Sequence, residues 1–200
     1  MTEARSTFAA RREDWRRHVV DLQTRTYEGA VERPAREQIF RQAFALVTPV
    51  AVRVLEALDE AYLGGRGTID ATPPRRVAAS DGLTGAGRQP IAGLVGTWSL
   101  TWPELEQARS RLTGLPMPPV QIFAMFPDDF THPHLSLFDL GQPRRWIACW
   151  PLQVLSADEA ERQEPILAAI AEGEMHERTF EGDLNWRLLD VGESPEARTP

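Results

Sequence analysis

Lysine is absent from this chain of 200 residues, and all 22 of its basic side chains are arginines. The absence excludes enzymes that bind pyridoxal phosphate through a lysine Schiff base. It also excludes a lysine nucleophile or general base and a P-loop, whose lysine contacts the phosphates of a nucleotide. If the protein is catalytic, we expect histidine acid–base or metal-assisted chemistry.

Cysteine is almost absent as well, since Cys149 is the single example. One cysteine cannot form an internal disulfide, and a zinc site built from several cysteines is excluded. The apolar neighbours of Cys149 predict that it is a small buried residue. No apolar run reaches the roughly 20 residues of a membrane span, and residues 1–17 lack the apolar segment of a secretory signal. We therefore expect a cytoplasmic protein without a membrane partner.

Basic charge is not concentrated in any stripe. Residues 1–90 carry 14 arginines against 12 acids, and residues 91–200 carry 8 against 17, which gives the net charge of -7. The N-terminal arginines alternate with acids, a pattern typical of a solvated helix face with internal ion pairs. Binding to nucleic acid is dominated by contacts to phosphates and needs positive charge, so we expect no nucleic-acid partner.

The first third of the chain has the apolar spacing of amphipathic helices. Phe8, Trp15, Val19 and Leu22 fall on one helical face and predict a helix over residues 6–27. A second apolar stripe begins after Pro34 and continues to the Gly64-Gly65 stop. Pro49 interrupts it, so the sequence predicts either three helices or two with the second bent. Residues 64–92 are rich in Gly, Pro and Asp and predict a loop with one short strand at 75–80.

From residue 94 the apolar period changes to two, which indicates strands. Strands are predicted over residues 94–102, 120–126, 134–140 and 146–154. Their connections are too short for crossover helices, so neighbouring strands should be antiparallel. Capping boxes at 101–104 and 156–159 predict helices to residue 113 and to about residue 172, followed by short segments at 175–180 and 184–189. This order favours one α+β domain over residues 1–190, with helices packed on a mostly antiparallel sheet, and a polar tail at 191–200.

Histidine provides the candidate catalytic and metal-binding residues. His132 and His134 point the same way if the chain is extended, so two imidazoles can chelate one metal ion. A third ligand could be Asp128, Asp129, Glu174 or His176. His176 lies among acids and is also a candidate general base. His18 has Asp14 and Asp21 at helical spacing, which indicates a pair on one helix face.

The six tryptophans suggest a second kind of site. Large rings beside a sheet can line a pocket for a small molecule. The candidate ligand-binding residues are Trp98, Trp146, Trp150, Arg145 and Asp139, with the arginine placed to hold a carboxylate.

Two functions remain open. The first is a small-molecule-binding protein, or an enzyme that uses histidine acid–base or metal-assisted chemistry in an aromatic-lined pocket. The second is a non-catalytic accessory subunit that binds a protein partner or a second copy of itself, for which the helical N-terminus and the acidic C-terminal half are suited. The sequence names no cofactor beyond the candidate metal.

Overall fold

The protein has an α+β fold, as the sequence predicts, and its computed structural model describes residues 2–79, 83–84, 91–138 and 144–183. The helices are α1 Thr2–Thr24, α2 Arg33–Leu63, α3 Pro103–Gln107, α4 Ala157–Glu161 and α5 Glu164–Glu181. The strands are β1 Thr68–Val77, β2 Leu83–Thr84, β3 Gly93–Thr101, β4 Val120–Pro127, β5 His134–Phe138 and β6 Arg144–Pro151. The predicted tail at 191–200 and the predicted segment at 184–189 lie outside the described residues.

The described strands form one sheet in the order β1-β3-β4-β5-β6-β2. The pairs among β1, β3, β4, β5 and β6 are all antiparallel, which confirms the expectation drawn from the short connections. The two residues of β2 pair with β6 in parallel at one edge. The register opposes Met125 to His134 and His134 to Pro151, so His134 lies between two strands.

Helix α2 is the main helix of the core and packs against β1, β3 and α5. It continues through Pro49 without a break, so the two-helix alternative is confirmed. By length and composition α2 could cross a membrane, a test that the core helix of a soluble protein also passes. Here it buries Phe40, Phe44, Val47 and Leu55 in the main apolar cluster. The Phe44 ring stacks on Trp98 at a centroid distance of 4.3 Å.

Strand β1 was predicted only in part, as a short strand at 75–80 inside a loop. The strand begins at Thr68 and contains Pro73 and Pro74, where the register with β3 shifts. Proline donates no backbone hydrogen bond, so it is tolerated in an edge strand or at a bulge. β1 is an edge strand, and most of its residues are exposed or half-buried, which removes the apolar alternation that identifies a strand.

Apolar residues of the sequence are exposed in the structure at two places. The apolar residues Trp15, Val19 and Leu22 of α1 are 55%, 43% and 50% exposed, because α1 turns its polar face toward the rest of the fold. The prediction that Cys149 is buried is wrong, because its side chain is exposed on β6. Partial burial nevertheless raises the pKa of its thiol.

The later helices differ from their predicted bounds. α3 ends at Gln107 rather than near residue 113, and its N-cap is Trp102, which supplies no side-chain cap. Ser156 caps α4 as predicted by accepting a hydrogen bond from the Glu159 amide. Pro165 begins a new helix, α5, which continues to Glu181. The segment predicted separately at 175–180 is therefore the end of α5.

Candidate functional site

The His132 and His134 side chains lie together where the chain enters β5. Their exposed fractions are 4% and 7%, and their ring centroids are 4.9 Å apart. Pro133 stands between them, and its carbonyl accepts a hydrogen bond from the Leu152 amide. This connection fixes the segment before β5 to the chain that leaves β6, so both imidazoles have a defined position.

Two arginines of α2 hold the loop that carries His132. The Arg33 guanidinium lies 3.7 Å from the centre of the Phe126 ring and donates hydrogen bonds to the carbonyls of Phe126, Pro127 and Phe130 at 3.0, 2.9 and 3.2 Å. Arg36 donates to the Thr131 carbonyl at 3.0 Å. The loop has little regular structure of its own, and these bonds satisfy its backbone acceptors.

A third imidazole comes from the N-terminal helix. The His18 ring lies 4.2 Å from that of His132 and 5.9 Å from that of His134, centroid to centroid, nearly perpendicular to both. The three side chains each offer one nitrogen, and these nitrogens all lie within 4.8 Å of one another. His18 is 6% exposed. One helix, one loop and one strand therefore bring three buried histidines to a single point.

Burial keeps these imidazoles neutral. Loss of solvation lowers the pKa of His132 to about 4, helped by His18 and by Arg36, and opposed by Asp21. Loss of solvation also lowers the pKa of His134 to about 3, with the other two histidines adding to the effect. The pKa of His18 is lowered by burial against the opposing charge of Asp21. The neutral form is the one that binds a metal ion.

The hydrogen bonding of His132 and His18 differs. The Thr131 hydroxyl is 2.6 Å from Nδ1 of His132, which leaves Nε2 of that ring for another partner. Among the described residues, Nδ1 of His18 is buried and has no hydrogen-bond partner. A buried polar atom without a partner is unfavourable, so this nitrogen is a place where a ligand would stabilise the structure.

Asp21 fixes the end of α1 beneath His18. Its carboxylate accepts hydrogen bonds from the Thr26 hydroxyl, the Glu28 amide and the Gln153 side chain at 2.7, 2.9 and 3.0 Å. These bonds lower the pKa of Asp21 although its burial acts in the opposite direction. Asp21 is three residues after His18 on the same helix face, so a fixed Asp21 also sets the position of His18.

A groove borders the histidine cluster. It has a volume of about 220 Å³ and is lined on one side by Asp14 and Trp15 of α1. The other side consists of Trp150, Pro151, Arg162, Gln163 and Ile166. The Trp15 ring is edge-on to His18 at 5.4 Å, and Pro151 is paired with His134 across the sheet. The groove therefore offers aromatic and charged surface, and two of its lining residues, Trp15 and Pro151, adjoin His18 and His134.

The other predicted site residues lie elsewhere. His176 is exposed on α5 and stacks on Phe180 at 6.1 Å. Trp98 is fully buried in the core, where its Nε1 donates to the Thr48 hydroxyl at 3.0 Å. Trp150 is half-buried and lines the groove. Asp139 and the side chains of Arg145 and Trp146 lie outside the described residues.

The third partner of the histidine pair is not one of the four residues considered from the sequence. Asp128 forms ion pairs with Arg76 at 2.7 Å and Arg33 at 3.5 Å. Glu174 is buried against Arg178 at 2.5 Å, and Asp129 is exposed. His18 takes the place instead. The one sequence feature that could have indicated His18 is its spacing with Asp21 on one helix face. That spacing predicted a helix-face pair and not a contact with the other histidines.

Comparison with known protein families, with curated proteins and with solved structures finds no match for this chain.

Proposed function

We propose that the protein binds a transition-metal ion through His18, His132 and His134 and uses it for chemistry on a small molecule. The observation that carries the proposal is the convergence of three buried imidazoles whose ligand nitrogens lie within 4.8 Å of one another. Three imidazoles have little reason to share a buried space without a common partner, because each loses solvation there.

The spacing suits a metal after a small adjustment. Zinc–imidazole bonds are about 2.0–2.1 Å long, so two ligand nitrogens of a tetrahedral site are about 3.3 Å apart. Nitrogens that are up to 4.8 Å apart reach this spacing if each ring moves by about 1 Å, which is within the range of small side-chain rotations. Neutral imidazole favours zinc, copper, iron or nickel, whereas calcium and magnesium prefer oxygen ligands.

Three protein ligands leave a coordination position for water or substrate. Sites of this composition are typical of catalytic zinc, where the metal lowers the pKa of bound water to about 7. A histidine general base works best with a pKa near the operating pH. Since His132 and His134 have pKa values of about 4 and 3, metal-assisted chemistry fits the cluster better than unassisted acid–base chemistry.

The groove between α1 and residues 150–166 is the proposed site for the small molecule. Trp15 and Trp150 offer flat apolar surface there, and Arg162 supplies a positive charge. Small-molecule sites commonly combine aromatic walls with a few polar groups. A cytoplasmic location remains part of this proposal, because the single cysteine gives no disulfide that an oxidising compartment would favour.

The test uses Zn²⁺ and Co²⁺ with the purified chain stripped of metal by a chelator. We expect one ion per chain by calorimetry and a Co²⁺ absorption spectrum of the intensity typical of four-coordinate sites. His18→Ala, His132→Ala and His134→Ala should each weaken binding by more than about a hundredfold, since losing a ligand is worse than losing the group behind it. His176→Ala is the matched control and should bind as the parent does.

The proposal fails if the folded parent chain binds no ion with 1:1 stoichiometry, or if His176→Ala weakens binding as much as the other three substitutions. Circular dichroism of each variant establishes that it is folded, so a loss of binding is not mistaken for unfolding.

A non-catalytic accessory role is the second candidate, and a specific observation favours it. α1 exposes four large apolar side chains, those of Trp15, Val19, Val20 and Leu22. None of the four is buried against the rest of the fold. Contiguous exposed apolar surface commonly marks contacts with a protein partner or a second copy. Light scattering coupled to size exclusion tests this role: a strict monomer without a co-purifying protein counts against it.

A further inference from the structure

We infer that the metal ion acts as a clasp that holds helix α1 against the rest of the fold, so that docking of α1 depends on the metal. The inference rests on the proposed metal site. It follows from the origin of the three ligands, because His18 belongs to α1, whereas His132 and His134 belong to the β4–β5 connection and β5. An ion bound by all three joins the N-terminal helix to the sheet.

The contacts that the described side chains of α1, from residue 12 onward, make through hydrogen bonds and ion pairs include the following. Arg17 donates to the Gln153 carbonyl at 3.0 Å and forms ion pairs with Glu159 and Glu28 at 3.2 and 3.4 Å. Asp14 lies 3.5 Å from Arg162. Ion pairs that are partly open to solvent stabilise a fold only weakly. These contacts orient α1, but they contribute little to the stability of its attachment to the rest of the fold.

Within residues 12–24 of α1, whose side chains the structure describes, apolar burial adds little to this attachment. The large apolar side chains of α1 that the structure describes are mostly exposed, and Trp15, at 55%, is the one that contacts His18. The described residues that α1 buries best are His18 and Asp21, at 6% and 4% exposure. Helices in proteins gain most of their stability from a buried apolar face, so α1 without a metal is poorly held.

A tight and well-anchored turn follows α1. Arg25 and Glu28 have positive φ angles of 56° and 47°, which place two non-glycine residues in a tight turn. Tyr27 anchors this turn, because it is fully buried and its hydroxyl donates to the Leu152 carbonyl at 2.9 Å. Asp21 is tied to the same turn. The last turn of α1 is thus fixed, and the described part of the helix before it is held by His18 and by the polar contacts of Asp14 and Arg17.

Docking of α1 also forms the groove. Asp14 and Trp15 are one wall of it, and both precede His18 on the helix. If α1 leaves the body, this wall leaves with it and the proposed small-molecule site opens. The metal would then have two roles: it supplies the reactive centre, and it assembles the pocket beside that centre.

Hydrogen–deuterium exchange of the full chain with and without Zn²⁺ tests the clasp. We expect the amides of residues 12–20, which precede the fixed last turn, to exchange at least about tenfold more slowly with the ion, because exchange reports local opening, while those of α5 change little. His18→Ala and His134→Ala should both abolish the slowing, the second without altering α1 itself. His176→Ala should retain it.

The outcomes separate the two ideas. If calorimetry shows zinc bound and the exchange of α1 does not change, the clasp is refuted and the metal site stands. If zinc does not bind the folded chain, the metal site and the clasp both fail. Slower exchange of α1 that survives in His134→Ala also overturns the clasp, because the slowing would then not depend on the ligand that β5 supplies.

Discussion

Glu28 offers a sharp test of the electrostatics at the junction of α1. Its side chain is 8% exposed and lies 3.4 Å from Arg17. Burial raises the pKa of Glu28 from 4.5 to about 7; Arg17 opposes the rise, and the charges of Asp21, Glu159 and Asp14 add to it. The perturbation is Glu28→Gln, which replaces the acid with a neutral side chain of nearly the same shape.

The sign of the effect follows from proton linkage. The folded state binds an extra proton between pH 4.5 and about 7, so the contribution of Glu28 to stability is present in full below 4.5 and is lost as the pH rises through about 7. A rise in pKa of this size corresponds to at most about 3 kcal/mol. Allowing for solvent screening, we expect about 1–2 kcal/mol. Glutamine does not titrate, so the variant should lack this loss.

The assay is urea unfolding of both proteins at about pH 5, 6, 7 and 8, with a chelator present so that no metal contributes. The free energy of unfolding of Glu28→Gln, relative to the parent, should increase by about 1–2 kcal/mol from pH 5 to pH 8. Arg17 keeps Asp14 and Glu159 as partners at 3.3 and 3.2 Å, so it is not left unpaired. Glu56→Gln, at an exposed position of α2, is the control and should show no such trend.

A flat difference between Glu28→Gln and the parent would refute the reasoning. So would a variant that becomes relatively less stable above pH 7, since Glu28 would then be a charged partner that Arg17 stabilises.

Three further perturbations test the fold and the metal. Gly96→Ala should lower the free energy of unfolding by about 1–3 kcal/mol, because its Cβ would overlap the Phe44 ring; urea unfolding measures this, and an unchanged midpoint would contradict the packing. Arg178→Met should lower it by about 3–5 kcal/mol, because Glu174 is fully buried beside Arg178; a chain as stable as the parent would show that the pair is dispensable. Free Zn²⁺ at about a hundred times its Kd should raise it by about 2.7 kcal/mol; a melting temperature that zinc leaves unchanged would contradict the site.

The interior of the sheet could be predicted from sequence because its pattern is local. Residues 94–102 alternate apolar and polar side chains, and β3 occupies nearly the same span. β1 could not be predicted in this way, because an edge strand needs no buried face and tolerates Pro73 and Pro74 at a shift of register. Its partner is β3, whose paired residues run from Gly93, opposite Val77, to Thr101, opposite Thr68, and no local pattern indicates that pairing.

Only the pair His132 and His134 of the histidine cluster could be predicted from the sequence. His132 and His134 are two residues apart, so an extended chain brings them together. His18 is more than a hundred residues away, and its place in the cluster depends on the face that α1 turns to the body. Periodicity favours the apolar face, with Trp15 and Leu22, as the buried one. The hydrogen bonds of Asp21 to Thr26, Glu28 and Gln153 reverse that choice, and none of them is visible in a helical repeat.

The polar face that α1 turns toward the rest of the fold supports the proposed metal site. An apolar face on α1 would dock the helix under all conditions, since apolar burial needs no ligand. A polar face docks only as far as each buried group finds a partner, and Nδ1 of His18 has none among the described residues. A ligand that binds this nitrogen would hold α1 in place, and loss of the ligand would weaken the attachment of the helix. Neutral imidazole is a ligand that suits transition metals. In the proposed site, the ion that would support the chemistry would therefore also hold α1 in place and form the groove beside it.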